Sequence, residues 1–238
     1  MDTHTLQWIG AAGMALGGGA ILATGKRRTP DEERQTIIHG IVPLVAACAY
    51  LAMAAGQGSV VLPSGREFYF MRYVDWLITT PLLLAALSLS GVHKGRKPLG
   101  LVLGLLLADA MMVVTGFAFG ASEGGLKWTW YLISCGAFAA VGWVVWRPLL
   151  QANAVQREDV RAKYHRNALI LTVLWSAYPL VVIQAPDGLG VISESLATGL
   201  LLVLDWASKV AYGLMSTKAD AAITERDLRE EGIRVVGE

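Results

Sequence analysis

Five ionisable residues stand inside stretches otherwise too apolar to tolerate them: Arg72, Asp75, Asp109, Asp205 and Lys209. His39 lies nearer the end of a similar stretch. Charges in such places are costly, so each is a functional candidate with a partner to be named. Asp205 and Lys209 are four apart, which puts them on one helical face and allows an ion pair. Arg72, Asp75 and Thr79 stand at i, i+3 and i+7, again one face. Two carboxylates and an arginine can therefore surround one amine, and the pattern is built around a cation. Lysine condenses with aldehydes, and Tyr50, Trp76, Trp130, Tyr131, Trp175, Tyr178 and Trp206 supply aromatic walls for a flat apolar ligand attached to it. The competing reading is a salt-bridge network that only fastens two helices, and the aromatic surroundings count against it.

The elements that position these residues follow from composition. Of 238 residues, 54% are hydrophobic and 16% charged, and mean hydropathy is +0.48, which is too apolar for a soluble domain of this length. A helix crosses a bilayer with about 20 apolar residues. Breaking the chain at its charged and Gly/Pro-rich stretches leaves segments A to G at 6–25, 35–56, 68–91, 98–120, 127–147, 165–184 and 191–216. The expected fold is all-α, a bundle of seven transmembrane helices over 1–217 followed by a charged tail, 218–238.

Basic residues gather in alternate loops: Lys26, Arg27, Arg28 and Arg34 between A and B; Lys94, Arg96 and Lys97 between C and D; Arg147, Arg157, Arg161, Lys163 and Arg166 between E and F. The opposite loops hold Arg66 and Lys127. Short cytoplasmic loops are enriched in Lys and Arg, so the N-terminus is expected outside and the C-terminus inside. The first segment is read as a helix rather than a signal peptide, because its basic cluster follows it. A net charge of +1 gives no reason to expect nucleic acid, and no zinc spacing, phosphate loop or repeat is present, so no metal is expected. Cys48 and Cys135 fall in different apolar segments and are read as free thiols.

Three runs carry a resemblance: Arg72-Tyr73-Val74-Asp75-Trp76-Leu77-Ile78-Thr79-Thr80-Pro81-Leu82-Leu83-Leu84, Leu174-Trp175-Ser176-Ala177-Tyr178-Pro179, and Leu204-Asp205-Trp206-Ala207-Ser208-Lys209-Val210. In this order they resemble the microbial (type 1) rhodopsins, over all seven helices. The resemblance implies all-trans retinal, covalently bound as a protonated Schiff base on Lys209. It implies Asp75 as counterion and primary proton acceptor, Asp205 as second counterion, Arg72 as the gate towards the outside and Thr79 as a hydrogen-bond partner of Asp75. Trp76, Thr80, Met112, Gly116, Trp130, Tyr131, Ser134, Trp175, Tyr178 and Pro179 would line the pocket with Tyr50 and Leu83, and Asp109 would tie helices together. Leu83 goes with green rather than blue absorption. Tyr131 fills a site that is glycine in members with a carotenoid antenna, so no antenna is expected. Ala49 leaves no histidine beside Asp75.

Within that family Asp75 with Thr79 is the pattern of an outward proton pump, a light-driven ion transporter rather than an enzyme. One departure is informative. The family's archetypal pumps keep a carboxylic donor at the position of Ala86, eleven residues or roughly 16 Å beyond Asp75, and alanine holds no proton. His39 stands where a neighbour of that donor is expected, and a histidine with an ordinary value near about 6.5 can give and take protons at cellular pH. The pair resembles a proteobacterial group of pumps that lack the carboxylic donor and carry a histidine on the second helix. Asp187, Glu194 and Glu67 are candidates for proton release, with Ala197 at the position of the family's second release acid. The alternative is a sensory photoreceptor that signals to a transducer with weak or no pumping, which a missing donor would suit. The resemblance further implies a bacterial inner-membrane, multi-pass protein among lipids, self-associated as a homo-oligomer and moving protons.

Overall fold

The computed structural model describes residues 1–93, 95 and 97–232. Lys94, Arg96 and tail residues 233–238 of the sequence reading lie outside the described residues. Seven helices follow one another: α1 Thr3–Thr24, α2 Pro30–Ala54, α3 Phe70–Gly91, α4 Leu99–Ala121, α5 from Leu126–Val144, α6 Glu158–Gln184 and α7 from Glu194–Asp205. Helix α5 runs on through a π-helical turn, Val145–Leu149, to Leu150–Asn153. Helix α7 does the same through Trp206–Ala211 to Tyr212–Glu230. Among the described residues 6 helices could cross a membrane by length and composition; in the seventh, α7, Asp205 and Lys209 lower the hydropathy of the middle.

Local chemistry sets where the helices begin. Helix α2 starts at Pro30, with Thr29 accepting from the Glu32 amide and Asp31, Glu32 and Glu33 in its first turn, where acids favour the positive end of the dipole. Helix α6 starts at Glu158, with Glu158 and Asp159 likewise in the first turn. Hydropathy marks only the apolar stretch, so segments B and F, read from 35 and 165, begin well after their helices do. The same effect corrects two expectations. The connection between α5 and α6 is short, 154–157, and residues 218–230 of the expected tail continue α7 as a helix. That extension is tied down by Asp227, which meets His93 Nε2 at 2.5 Å and Arg157 Nη1 at 2.6 Å.

The helices pack in sequence order, and α7 closes the ring against α1. Close approach of α1 and α2 depends on small residues: a Cβ at Gly18 would stand 2.9 Å from the Gly40 carbonyl oxygen. Helices α5 and α6 are bridged by side chains, with Trp146 Nε1 donating to Thr172 at 2.9 Å, Tyr164 to the Val145 carbonyl at 2.7 Å and Tyr131 to the Pro179 carbonyl at 3.1 Å. Pro148 lacks an amide proton, which accounts for the π turn of α5. Between α2 and α3 lies a small antiparallel hairpin, Val60–Val61 with Glu67–Phe68, which hydropathy does not signal. One half of the bundle interior is apolar, packed around Val42, Leu83, Leu84, Leu87, Leu105, Leu171 and Trp175.

Candidate functional site

Lys209 sits in the π turn of α7, 2% exposed; π turns are frequent at functional sites. Its Nζ pairs in short contact with Asp75 Oδ2 of α3 and lies 3.0 Å from Asp205 Oδ1, one turn back on its own helix. The two carboxylates are held differently. Asp205 accepts from Tyr50 on Oδ2 and from Tyr178 on Oδ1, each at 2.8 Å, and Ser208 lies 3.0 Å from the Tyr178 hydroxyl. Asp75 Oδ1 has no protein partner. Thr79 donates to the Asp75 backbone carbonyl at 2.9 Å, and its hydroxyl is also a side-chain partner of the Asp75 carboxyl.

An apolar cavity opens from Lys209. Trp76, Thr80 and Leu83 form its α3 wall, Met112 and Gly116 its α4 wall, Tyr131 and Ser134 part of its α5 wall, and Trp175, Tyr178 and Pro179 its α6 wall. The Trp76 and Tyr178 rings meet edge to face at 5.5 Å. At Gly116 a Cβ would stand 3.4 Å from Ser134 Oγ, so a larger side chain would narrow the space. Trp130 and Tyr50 are not on the wall. On α5 the wall runs through Tyr131, Ser134, Cys135 and Phe138, and Trp130 is turned roughly 100° from Tyr131 about the helix axis; Tyr50 stands behind Asp205. Tyr73, Phe119, Val182 and Ser208 also line the cavity and were not anticipated, although the helical spacing from Tyr131 points to Cys135 and Phe138. Thr80 also donates to Asp109 Oδ2 at 2.7 Å, tying α3 to α4 around a fully buried carboxyl.

Beyond Asp75 on one side, Arg72 Nη2 donates to Glu194 at 2.7 Å and Thr198 at 2.6 Å. Its guanidinium lies 4.8 Å over the Tyr69 ring, whose hydroxyl donates to Glu67 at 2.9 Å. Asp187 pairs with Arg66 in short contact, and Lys127 donates to its carbonyl at 3.2 Å. Burial pushes the Asp187 carboxyl up to about 6 against the pull of Arg66 and Arg72. Glu194, expected among the release candidates, thus touches Arg72, and Ala197, expected at the position of the second release acid, is fully buried. On the other side His39 is 1% exposed, its ring 5.5 Å from that of Tyr212 and edge-on to it. Ala86 is equally buried, with Gln35 donating to its carbonyl at 3.2 Å.

A buried lysine between two carboxylates, at the end of an aromatic-walled cavity, is a fit for an elongated apolar aldehyde bonded to Nζ. Residues 1–223 match the family described as bacteriorhodopsin-like protein. The chain belongs to this bacteriorhodopsin-like family. Its members are retinal proteins of the membrane, bound through a lysine Schiff base, and act as light-driven ion pumps or photoreceptors. Archaerhodopsin-2 of Halobacterium sp. (strain aus-2) is 36% identical over 228 residues, 93% of this chain and 86% of that protein. Sensory rhodopsin-2 of Natronomonas pharaonis is 29% identical over 221 residues, 92% and 90% of the two chains. The thermophilic rhodopsin of Rubrobacter xylanophilus superposes with a TM-score of 0.87 at 33% identity, covering 94% of this chain and 98% of that one. The light-driven proton pump rhodopsin of Coccomyxa subellipsoidea gives 0.84 at 30% identity, covering 91% and 96%. The bacteriorhodopsin-like fold therefore embraces relatives named as a pump and as a sensor.

Proposed function

We propose that the protein is a light-driven outward proton pump of the bacterial inner membrane, carrying all-trans retinal as a protonated Schiff base on Lys209. The observation that carries this reading is the direct contact of Asp75 with Lys209 Nζ, with polar side chains leading away from it towards Arg72 and Glu194. Retinal bound there supplies light absorption and an isomerisation that redirects the nitrogen it is bonded to. Asp75, with an oxygen uncommitted to protein, takes the proton held at Lys209 Nζ. Asp205 stays fixed as an anion between Tyr50 and Tyr178 and balances the site charge throughout. Arg72 lies between Asp75 and the outer surface, where its bond to Glu194 couples the acceptor to Glu194, Asp187 and Glu67. His39 returns a proton to Lys209 from the cytoplasmic side, in place of the carboxylic acid absent at Ala86. The apolar packing around Val42, Leu83 and Trp175 limits proton leakage through this half of the bundle.

Supporting the lack of a carotenoid antenna, Tyr131 reaches across to the Pro179 carbonyl and fills the seam between α5 and α6. The basic loops support a cytoplasmic C-terminus, and kinship with the proteobacterial group rests on Ala86 with His39. Self-association as a homo-oligomer belongs to the same reading.

The test is the external pH of an unbuffered suspension of cells expressing the protein with added retinal. Acidification in light, abolished by a protonophore, is the expected outcome. A coloured protein with no light-driven pH change would favour the second reading, a photosensor, to which Ala86 and the kinship with a sensory rhodopsin lend themselves.

A further inference from the structure

Lys163 of α6 and Asp220 of α7 form a buried ion pair in short contact, with side chains 4% and 12% exposed. A pair buried this far is costly to desolvate, and nothing at Asp75 or Lys209 requires it. Its place in the fold suggests its use. One turn deeper, Asn167 of α6 donates to Ser216 of α7 at 3.1 Å. One turn deeper again, Tyr212 packs edge-on against His39. Positions 220, 216 and 212 are spaced by four and share one face of α7, so the rungs form a ladder from Asp220 to His39. Along it, Asp220 Oδ2, Tyr212 Oη and His39 Nδ1 are buried without a protein partner. Buried polar atoms ordinarily have partners, ordered water among them, so three such atoms on one line mark a polar route rather than a sealed core.

We propose that Asp220, held by Lys163, is the residue that collects protons from the cytoplasm and delivers them to His39. One proton passes from water to the Asp220 carboxylate, then through the Ser216 and Tyr212 hydroxyls to the imidazole. Each hydroxyl takes one proton and gives one up, and Asp220 returns to the carboxylate. Lys163 is a positioning residue that holds Asp220 at the mouth of the ladder, and Asn167 positions Ser216. Around His39, α1 presents Ile21 to the same seam, α6 contributes the charge of Lys163, and α2 itself carries Gln35, which donates to the Ala86 carbonyl of α3, and Glu32, which is bound by Arg28 at 2.8 Å. The inference rests on the proposed role of His39.

The test needs no light. In membranes of ¹⁵N-histidine-labelled protein, exchange of the His39 ring N–H with bulk deuterium is followed by NMR, the signal being assigned among the 4 histidines with His39→Asn. Asp220→Asn should slow exchange by roughly tenfold or more, whereas Glu225→Gln, a partly exposed acid paired with Arg229, should leave it unchanged. Because Asp220→Asn strands a buried ammonium, Lys163→Met/Asp220→Asn is measured beside it and should be slowed as well. Unchanged exchange in Asp220→Asn, or normal exchange restored in the double variant, would overturn the proposal and leave the pair a fastener of α6 to α7. Exchange slowed in a protein that does not acidify its medium would overturn the pumping reading and leave the ladder standing.

Discussion

Asp75 and Asp205 carry the same charge towards the same amine, yet hydrogen bonding separates their roles. Two tyrosines fix Asp205, while Asp75 keeps one oxygen free of protein partners. We expect Asp75→Asn to lower light-driven acidification by roughly a hundredfold with the pigment still formed, measured in the cell suspension described above. His39→Ala should slow the return of the proton to Lys209 several-fold, followed by flash spectroscopy; an unchanged photocycle would remove His39 from the route. Asp187 gives a prediction in pH. Its folded value of about 6 lies above the unconstrained 3.8, so between these values the native state binds more protons than the unfolded one. Its contribution to stability is therefore complete at the acid end and declines as pH rises through that window. Asp187→Asn should flatten the melting temperature against pH there and leave the slope elsewhere unchanged. The charge pattern of Asp75, Asp205 and Lys209 was legible because ionisable residues are rare inside apolar segments. The bond from Thr79 to the Asp75 backbone carbonyl was not, because a threonine on a helix can bond its own backbone as readily as a neighbour's carboxylate.

At the scale of elements, α1 acts through the smallness of one face. A Cβ at Gly10 would stand 2.5 Å from the Tyr50 ring, and that tyrosine is one of the two that hold Asp205. Gly10→Ala should cost about 1–3 kcal/mol by overpacking, read as a lower melting temperature, and should shift the visible absorption of the retinal-loaded protein as Asp205 moves. Seven apolar stretches are plain in the chain because each must cover a bilayer by itself. Helix ends outside the bilayer carry no such signal: α6 begins at Glu158 and α7 runs to Glu230 on the strength of acidic first turns and i,i+4 ion pairs such as Arg226 with Glu230 at 2.9 Å. The hairpin at Val60–Val61 and Glu67–Phe68 escaped for a similar reason, since two-residue strands leave no periodicity to read.

For the whole molecule, direction matters as much as architecture, because a pump is defined by which side loses the proton. In the proposed orientation, which the basic residues between alternate helices support, Ser64, on the hairpin, is outside and Glu231, beyond α7, inside. A membrane-impermeant maleimide should label Ser64→Cys in intact cells and Glu231→Cys only after lysis. Labelling in the reverse order would make the expected transport inward and overturn the orientation. The native Cys48 and Cys135 lie within α2 and α5, away from both reporters.

By itself the sequence determined the seven-helix architecture and the lysine with its two aspartates. Each of these follows from residue type at helical spacing inside a solvent that tolerates few polar groups. Only the tertiary structure decided that Tyr50 braces Asp205 rather than walling the cavity, that Trp130 faces away from it, that Glu194 meets Arg72, and that Lys163 pairs with Asp220 above His39. Those contacts join residues 27 to 155 positions apart or turn on the rotation of a helix about its axis. Local spacing fixes which residues share a face, but the packing of the seven helices chooses which faces meet.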